Sequence, residues 1–217
     1  MADTDALDSL WRRSEALTAL YATLELTAPL PPLGDWAIDP LFAVCLVNVV
    51  LDCRPGPRVV VECGSGASTV VTAAALRRYG IDGHVTSLEQ DPDFADVTRA
   101  YLRRHELDAF ATVHTAPLVD GDHGFGVWYD TSALETLAGD VDLLVVDGPP
   151  TAGTSPLARG PALDVMAGRL APGARVLVDD AMRPGEQQVL QRWSHDHPEV
   201  DFSLLLTGNG AALGLKR

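Results

Sequence analysis

The stretch RVVVECGSGAST, residues 58–69, decides the fold of this chain. It begins with a β-branched apolar run, which favours a buried strand. Gly64 and Gly66 then mark a tight turn, because glycine adopts backbone conformations that strain other residues and lets the backbone approach a ligand closely. The alanine-rich sequence over 68–79 predicts a helix, with Ser68 as its N-cap. We interpret the stretch as a strand, a ligand-binding turn and a helix.

The same alternation continues toward the C-terminus. It predicts a parallel sheet with helices on both faces. Two further strands, at 201–206 and 211–215, flank the hairpin signal Thr207-Gly-Asn-Gly210. The predicted fold class is therefore α/β, a doubly wound seven-stranded sheet that is mostly parallel and ends in an antiparallel hairpin. The remaining predicted strands are 84–89, 110–114, 141–147 and 175–179, and the helices between them are 91–105, 161–170 and 185–195.

The N-terminal quarter is predicted to be helical. Apolar residues at helical spacing over 5–26 predict one or two amphipathic helices, and a further helix is predicted over 40–51. We divide the chain into a helical N-terminal cap, residues 1–54, and a ligand-binding catalytic domain, residues 55–217, packed as one compact unit. The apolar N-terminal helices also predict a homodimer.

Composition limits the classes of function. The chain has 217 residues, of which 47% are hydrophobic and 21% charged, as in an ordinary globular domain. No apolar run approaches the ~20 residues that span a bilayer, and the acidic N-terminus differs from a signal peptide, so we expect a cytoplasmic protein without a membrane partner. The spacing of the three cysteines argues against a disulfide framework or a zinc site. A net charge of -14 repels phosphate backbones, which excludes nucleic acid and favours a small-molecule substrate.

An acid on the next strand narrows the choice of ligand. Glu89 ends the second predicted strand, where it is placed to accept hydrogen bonds from ribose hydroxyls. Nicotinamide dinucleotide and S-adenosylmethionine both fit this arrangement. The dinucleotide fingerprint requires a third glycine where Thr69 stands, and Glu62 would repel a pyrophosphate. An acid there suits a cationic ligand that carries an amino group and a sulfonium.

The segment from Glu62 to Ser68 resembles the first motif of the class I S-adenosylmethionine-dependent methyltransferases. Glu89 resembles their ribose-binding acid, and the C-terminal hairpin resembles their antiparallel last strand. The resemblance covers roughly residues 36–217 and implies a Rossmann-like fold. It also implies that the turn holds the methionine part, that the second strand holds the ribose, and that the segment after the third strand flanks the adenine. The cofactor-binding residues implied are Glu62, Gly64, Ser65, Gly66, Ser68, Thr69, Glu89, Gln90, Ala116, Pro117, Leu118 and Asp147.

Three carboxylates follow the fourth and fifth predicted strands. Asp147 comes after one and Asp179-Asp180 after the other, and neighbouring strands lie about 5 Å apart. Such a cluster is electrostatically costly unless a cation offsets it, and Mg²⁺ favours oxygen ligands. The pattern resembles the metal-dependent small-molecule O-methyltransferases, including macrocin-type sugar and catechol methyltransferases. It implies Asp147, Asp179 and Asp180 as metal ligands, with Asp147 and Asp180 catalytic. Pro149-Pro150 departs from the sugar enzymes, which carry a polar or acidic residue there, and the alternative is that Asp147 lines the cofactor cleft while Asp179 caps backbone groups.

Other side chains are weaker candidates. His123, in a glycine-rich loop, is either a general base or part of a surface loop. Trp128 and Tyr129 either stack on a ligand or pack the loop against the protein. Arg183 is placed to bind a substrate acid or to neutralise the three carboxylates.

The predicted function is S-adenosylmethionine-dependent methylation of a hydroxyl on a small molecule. Four alternatives stay open at this point. They are an NAD-dependent oxidoreductase, a peptide or carboxyl methyltransferase, an aminopropyl transferase, and a non-catalytic S-adenosylmethionine-binding protein.

Overall fold

A seven-stranded sheet forms the centre of the computed structural model, which describes residues 2–34, 36–53, 58–121 and 124–217. Within these ranges the chain forms six α-helices, nine β-strands and two short 3₁₀ helices, Ser132–Thr136 and Ala167–Arg169. The helices are α1 (Ala2–Leu24), α2 (Pro40–Asp52), α3 (Ala67–Arg78), α4 (Pro92–Arg104), α5 (Pro161–Met166) and α6 (Pro184–Asp196). The strands are β1 (Arg58–Cys63), β2 (Gly83–Glu89), β3 (Ala111–Thr115), β4 (Leu118–Asp120), β5 (Val127–Tyr129), β6 (Val141–Val146), β7 (Leu170–Asp179), β8 (Val200–Leu205) and β9 (Ala211–Lys216).

The strand order of the main sheet is β3-β2-β1-β6-β7-β9-β8. Strands β1, β2, β3, β6 and β7 are parallel, and β9 runs antiparallel to both β7 and β8. This arrangement confirms the predicted fold. The strand order reverses between β1 and β6, and in such sheets the ligand lies beyond the carboxyl ends of the strands at that reversal.

Alternate residues of the central strands face two separate cores. Val60 and Leu143 pack on the face covered by α2, α3 and α4, whereas Val61 and Leu144 pack on the face of α5 and α6. The N-terminal helices share the first of these cores, where Phe42 of α2 is fully buried. None of the helices in the described ranges has both the length and the apolar character needed to cross a bilayer.

Local structure differs from the sequence prediction at three places. Helix α3 begins at Ala67 and Gly66 is its N-cap, so the predicted N-cap Ser68 is wrong; Ser68 lies buried in the first turn. Strand β7 begins earlier than predicted, because Leu170 pairs with Val141 before a shift of register. The short hairpin of β4 and β5 was not predicted, since three-residue strands carry too little periodicity to detect. His123, Asp35 and residues 54–57 lie outside the described residues.

Candidate functional site

A cleft of about 400 Å³ lies over the carboxyl ends of β1, β2, β6 and β7. Its size is within the range of small-molecule sites, about 300–1,000 Å³. Both the cap and the sheet contribute to its walls. The described residues that line it are Trp36, Ala37, Gly64, Ser65, Glu89, Gln90, Asp91, Phe94, Tyr129, Asp147, Gly148, Pro150, Thr151, Arg159, Asp179, Asp180 and Arg183.

The turn after β1 lies against the end of β6. Gly64 has φ +95°, a conformation that strains residues with a side chain, and a Cβ there would lie 3.4 Å from the backbone of Asp147 and Gly148. A Cβ on Gly148 would lie 3.0 Å from Gly64 and 2.2 Å from the hydroxyl of Tyr129. The two glycines therefore let the two loops meet at the floor of the cleft.

Glu62 lies beneath this turn rather than in the cleft. Its Oε2 accepts hydrogen bonds from the hydroxyls of Thr69 (2.5 Å) and Ser87, and Thr69 Oγ1 accepts the N–H of Gly66 (3.1 Å). The Oε1 atom has no hydrogen-bond partner in the described part of the chain. Burial raises the pKa of Glu62, and the nearby hydroxyls of Ser68, Ser87 and Thr69 oppose part of the rise. The carboxylate supports the glycine turn from inside the fold.

Replacing Glu62 by glutamine should stabilise the protein in a pH-dependent way. The pKa of Glu62 is higher in the folded state than in the unfolded state. The free energy of unfolding therefore falls as the pH rises from the pKa of the unfolded state through the pKa of the folded state. Glutamine removes that loss while keeping an acceptor for Thr69. We expect a higher Tm for the variant at pH 8, by roughly 2–4 °C for each kcal/mol regained, and no gain near pH 4.5.

Glu135→Gln is the control, since Glu135 is exposed and should leave Tm unchanged at both pH values. A Glu62→Gln variant that is less stable than the wild type at pH 8 would contradict the expected sign.

Glu89 is held at the edge of the cleft by the loops beside it. Its Oε2 accepts hydrogen bonds from the N–H (3.0 Å) and the hydroxyl (2.9 Å) of Ser65, and its Oε1 accepts the N–H of Asp91 (3.1 Å). Burial raises the pKa of Glu89, and these hydrogen bonds oppose the rise. The side chain is thus fixed in orientation, and unused lone pairs on its oxygens remain available to a ligand.

Asp147, Asp179 and Asp180 converge at the ends of β6 and β7, as the sequence predicted. One ligand oxygen from each lies within 4.8 Å of the others. Asp180 has φ +60°, and its backbone N–H donates to Asp179 Oδ1 (2.8 Å). This unusual backbone conformation is held in place by the contacts of the cluster.

Arg159, which was missed from the sequence, lies inside this cluster. Its Nη2 is 3.2 Å from Asp147 Oδ1 and 3.2 Å from Asp180 Oδ2, and its side chain is 5% exposed. Nη1 donates to the backbone carbonyl of Asp179 (3.0 Å) and lies 3.7 Å from Glu186 Oε1. The signal that could have found Arg159 is the cluster itself, because buried carboxylates require a cation.

The cluster shifts the pKa values of its members. Burial raises the pKa of Asp147 to about 7, with Arg159 opposing and the neighbouring Asp180 adding to the rise. Burial, followed by the charges of Asp147 and Asp180, also raises the pKa of Asp179 well above its usual range. The more exposed Arg183 pairs with Asp180 Oδ2 at 2.8 Å on the solvent side.

The predicted Mg²⁺ does not fit this arrangement. A magnesium ion requires oxygen ligands at about 2.0–2.1 Å in near-octahedral geometry. Two of the three carboxylates are already paired with the guanidinium of Arg159, which would face the ion with a like charge. As they stand, the three acids hold an arginine and not an open set of metal ligands.

The predicted cofactor residues fall into two groups. Gly64, Ser65, Glu89, Gln90 and Asp147 line the cleft, together with Asp179 and Asp180. The others are outside the described lining, either beneath the turn or beyond β3. This second group contains Glu62, Gly66, Ser68, Thr69, Ala116, Pro117 and Leu118.

Aromatic residues complete the lining of the cleft, and Phe94 is the one that the sequence missed. Trp36 is 80% exposed there, and Phe94 approaches Gly66 from α4. Tyr129 is buried in the floor, and its hydroxyl has no hydrogen-bond partner among the described residues.

A cleft at the strand-order reversal, with a glycine turn on one strand and an acid ending the next, defines a nucleotide-binding α/β protein. A family model described as a methyltransferase domain matches residues 61–181, more than half of the chain. The chain belongs to this methyltransferase family, which confirms the predicted class of enzyme.

One curated relative is the protein-L-isoaspartate O-methyltransferase of Methanopyrus kandleri, 32% identical over 99 residues. The match spans 45% of this chain and 41% of that relative. Among solved structures, Rv0187 from MTB, determined with a bound cofactor, is 27% identical with a TM-score of 0.60, covering 94% of this chain and 90% of that chain.

Two more distant structures share the fold. The Podospora anserina methyltransferase PaMTH1, determined with S-adenosylhomocysteine (SAH), is 16% identical with a TM-score of 0.64, covering 99% of this chain and 96% of that chain. The O-methyltransferase of Bacillus cereus in complex with SAH is 19% identical with a TM-score of 0.58, covering 94% of this chain and 90% of that chain.

Proposed function

We propose that this chain is an S-adenosylmethionine-dependent methyltransferase that methylates a hydroxyl group of a small molecule. The observation that carries the proposal is that two different sets of groups line one cleft. The glycine turn and Glu89 lie at the ends of β1 and β2 and suit a nucleoside cofactor, whereas Asp147 and Asp180 follow β6 and β7. The SAH bound to the Podospora and Bacillus proteins supports the choice of cofactor.

In this proposal the cofactor lies along the carboxyl ends of β1 and β2. Ser65 and Gly64 line the cleft and approach its methionine part through their backbone. Glu89 and Gln90 hold the ribose, and Phe94 offers an apolar ring at the same rim. Glu62 acts from beneath by fixing the turn.

The chemical step is an in-line displacement at the methyl group of a sulfonium. The leaving thioether is already activated, so the protein aligns the acceptor oxygen and removes its proton. Asp147 and Asp180 face the space where that oxygen would lie, and one of these carboxylates accepts the proton. Trp36, exposed at the rim, provides a surface on which a flat acceptor can stack.

A carboxylate acceptor is the second candidate, because the curated relative is named as an isoaspartate O-methyltransferase. The electrostatics of the cleft argue against it. Acidic side chains outnumber the arginines in the described lining, so a carboxylate acceptor would be repelled. Assays with phenols and sugars on one side, and an isoaspartyl peptide on the other, separate the two candidates.

Calorimetry with SAH tests the cofactor. We expect the wild type to bind SAH, and Glu89→Ala to bind it at least about tenfold more weakly, since the variant loses the ribose acceptor and leaves the Ser65 N–H unpaired. The control Glu135→Ala changes an exposed glutamate and should bind like the wild type.

A wild-type titration that is silent with SAH would contradict the proposal. Heat released by NADH instead would favour the oxidoreductase. Binding of SAH without any methyl transfer to the acceptor panel would favour a non-catalytic binding protein.

We also propose that the chain forms a homodimer through α1. Leu20 and Leu24 of this helix face the core, whereas Leu10 and Trp11 are 62% and 68% exposed. Exposed apolar stripes on helices mark surfaces of association. We expect sedimentation velocity to report a dimer for the wild type and a monomer for Trp11→Lys. Leu204 is exposed on the edge strand β8. If Leu204→Lys dissociates the dimer and Trp11→Lys does not, the interface lies at β8 and not at α1.

A further inference from the structure

The guanidinium of Arg159 lies where the carboxylates at the ends of β6 and β7 meet. Its Nη2 contacts Asp147 Oδ1 and Asp180 Oδ2, each at 3.2 Å, and also donates to the backbone carbonyl of Asp147 at 3.1 Å. Its Nη1 donates to the carbonyl of Asp179. One arginine thus bonds to both strand ends, and its side chain is only 5% exposed.

Arg159 stands in the place that a bound cation would take. An arginine stays protonated under all conditions in which the protein is folded. It therefore supplies a permanent positive charge between Asp147 and Asp180, and a divalent ion entering between them would meet that charge at close range.

Moving Arg159 aside would leave several groups without a partner. The carbonyls of Asp147 and Asp179 would each lose a donor, and Glu186, buried on α6, would lose the cation 3.7 Å from its Oε1. Buried polar groups that lose their partners are costly. The partly exposed Arg183 pairs with Asp180 from the solvent side and does not reach these carbonyls in the described contacts.

We propose that Arg159 is the built-in cation of this site, that it takes the place of a divalent metal ion, and that it positions Asp147 and Asp180 for catalysis without one. The positioning role rests on the proposed function. The exclusion of metal is a property of the protein itself and is tested without cofactor or acceptor.

Thermal unfolding of the full chain in EDTA and in 10 mM Mg²⁺ is the first test. The wild type should show the same Tm in both. Arg159→Met removes the charge and keeps an unbranched apolar side chain, so Asp147 and Asp180, freed from the guanidinium, should bind the ion together with Asp179. At an ion concentration about tenfold above its Kd, the Tm of that variant should rise by about 3 °C or more.

Two matched variants isolate the charge at this position. Arg159→Lys retains a cation among the acids and should stay insensitive to Mg²⁺. Arg183→Met removes the other cation of the cluster but leaves Arg159 in place, and it should also be insensitive. A purely structural role for Arg159 would lower the Tm of Arg159→Met without creating a response to Mg²⁺, and that result would overturn the proposal.

A second measurement needs no variant and covers the case in which Arg159→Met fails to fold. Titration of the wild type with Mn²⁺, followed by the electron paramagnetic resonance signal of the free ion, should show no loss of signal at one equivalent of protein. A loss that Asp179→Asn abolishes would show that the acids bind a metal beside Arg159 and would overturn the proposal. None of these readouts involves methyl transfer, so their failure is distinct from a failure to bind SAH.

Discussion

Replacing Asp180 by asparagine should lower kcat for methyl transfer by about 100-fold or more, the usual contribution of a general base, while SAH affinity stays within about threefold of the wild type. Asp180 lines the cleft after β7, whereas the glycine turn follows β1 and Glu89 ends β2, two and three strands away in the sheet. The loss should therefore fall on the chemical step and spare the cofactor. Single-turnover rates with saturating cofactor, together with SAH calorimetry, separate the two effects.

Asparagine is the informative replacement because of the backbone at this position. Asp180 has φ +60°, which asparagine tolerates and alanine adopts only with strain. Asp196→Asn is the matched control, since it removes one carboxylate from the distant end of α6 and should leave kcat unchanged. Wild-type turnover by Asp180→Asn would assign the proton transfer to another group, with Asp147→Asn as the next variant to measure.

Replacing Gly148 by alanine should disrupt the floor of the cleft. The new Cβ would lie 2.2 Å from Tyr129 Oη and 3.0 Å from the backbone of Gly64, so both must move. Overpacking of this kind costs about 1–3 kcal/mol, or several degrees of Tm. Since Gly64 belongs to the cofactor turn, we also expect SAH to bind at least about tenfold more weakly, an effect of about 1.4 kcal/mol.

A double variant tests the physical cause. Tyr129→Phe removes the atom that lies closest to the new Cβ, and by itself it should cost little, because that hydroxyl has no partner among the described residues. Gly148→Ala combined with Tyr129→Phe should therefore regain most of the lost Tm. Gly168→Ala is the control, since no described heavy atom lies within 4 Å of its Cβ position. Equal Tm and SAH affinity in Gly148→Ala and the wild type would show that the floor adapts.

The sequence predicted the sheet and the meeting of the three acids for the same reason. Long apolar strands alternating with helices define a parallel sheet, and the ends of parallel strands lie along one edge. Asp147, Asp179 and Asp180 follow such strands directly, so their positions depend only on the topology. The positions of side chains outside periodic elements could not be predicted in this way.

Arg159 and Glu62 illustrate what could not be predicted. Arg159 lies at the end of the irregular segment between β6 and α5, where no periodicity fixes its direction. Glu62 was predicted to face the ligand, but it follows the alternation of β1: Val61 and Cys63 face one core, and Glu62 faces the other way, toward Thr69 of α3. Side chains alternate between the two faces of a strand, and applying that alternation to β1 would have placed Glu62 beneath the turn.

The shared core of the N-terminal helices has a consequence for how acceptor preference can change. Trp36 and Ala37 form part of the roof of the cleft, and they stand between two buried anchors, Leu30 and Ile38. Because these anchors fasten the segment at both ends, Trp36 and Ala37 can be exchanged without rebuilding the helices around them. Substitutions in this roof can therefore change which methyl acceptors the protein binds during evolution, while the catalytic acids and the cofactor turn stay unchanged.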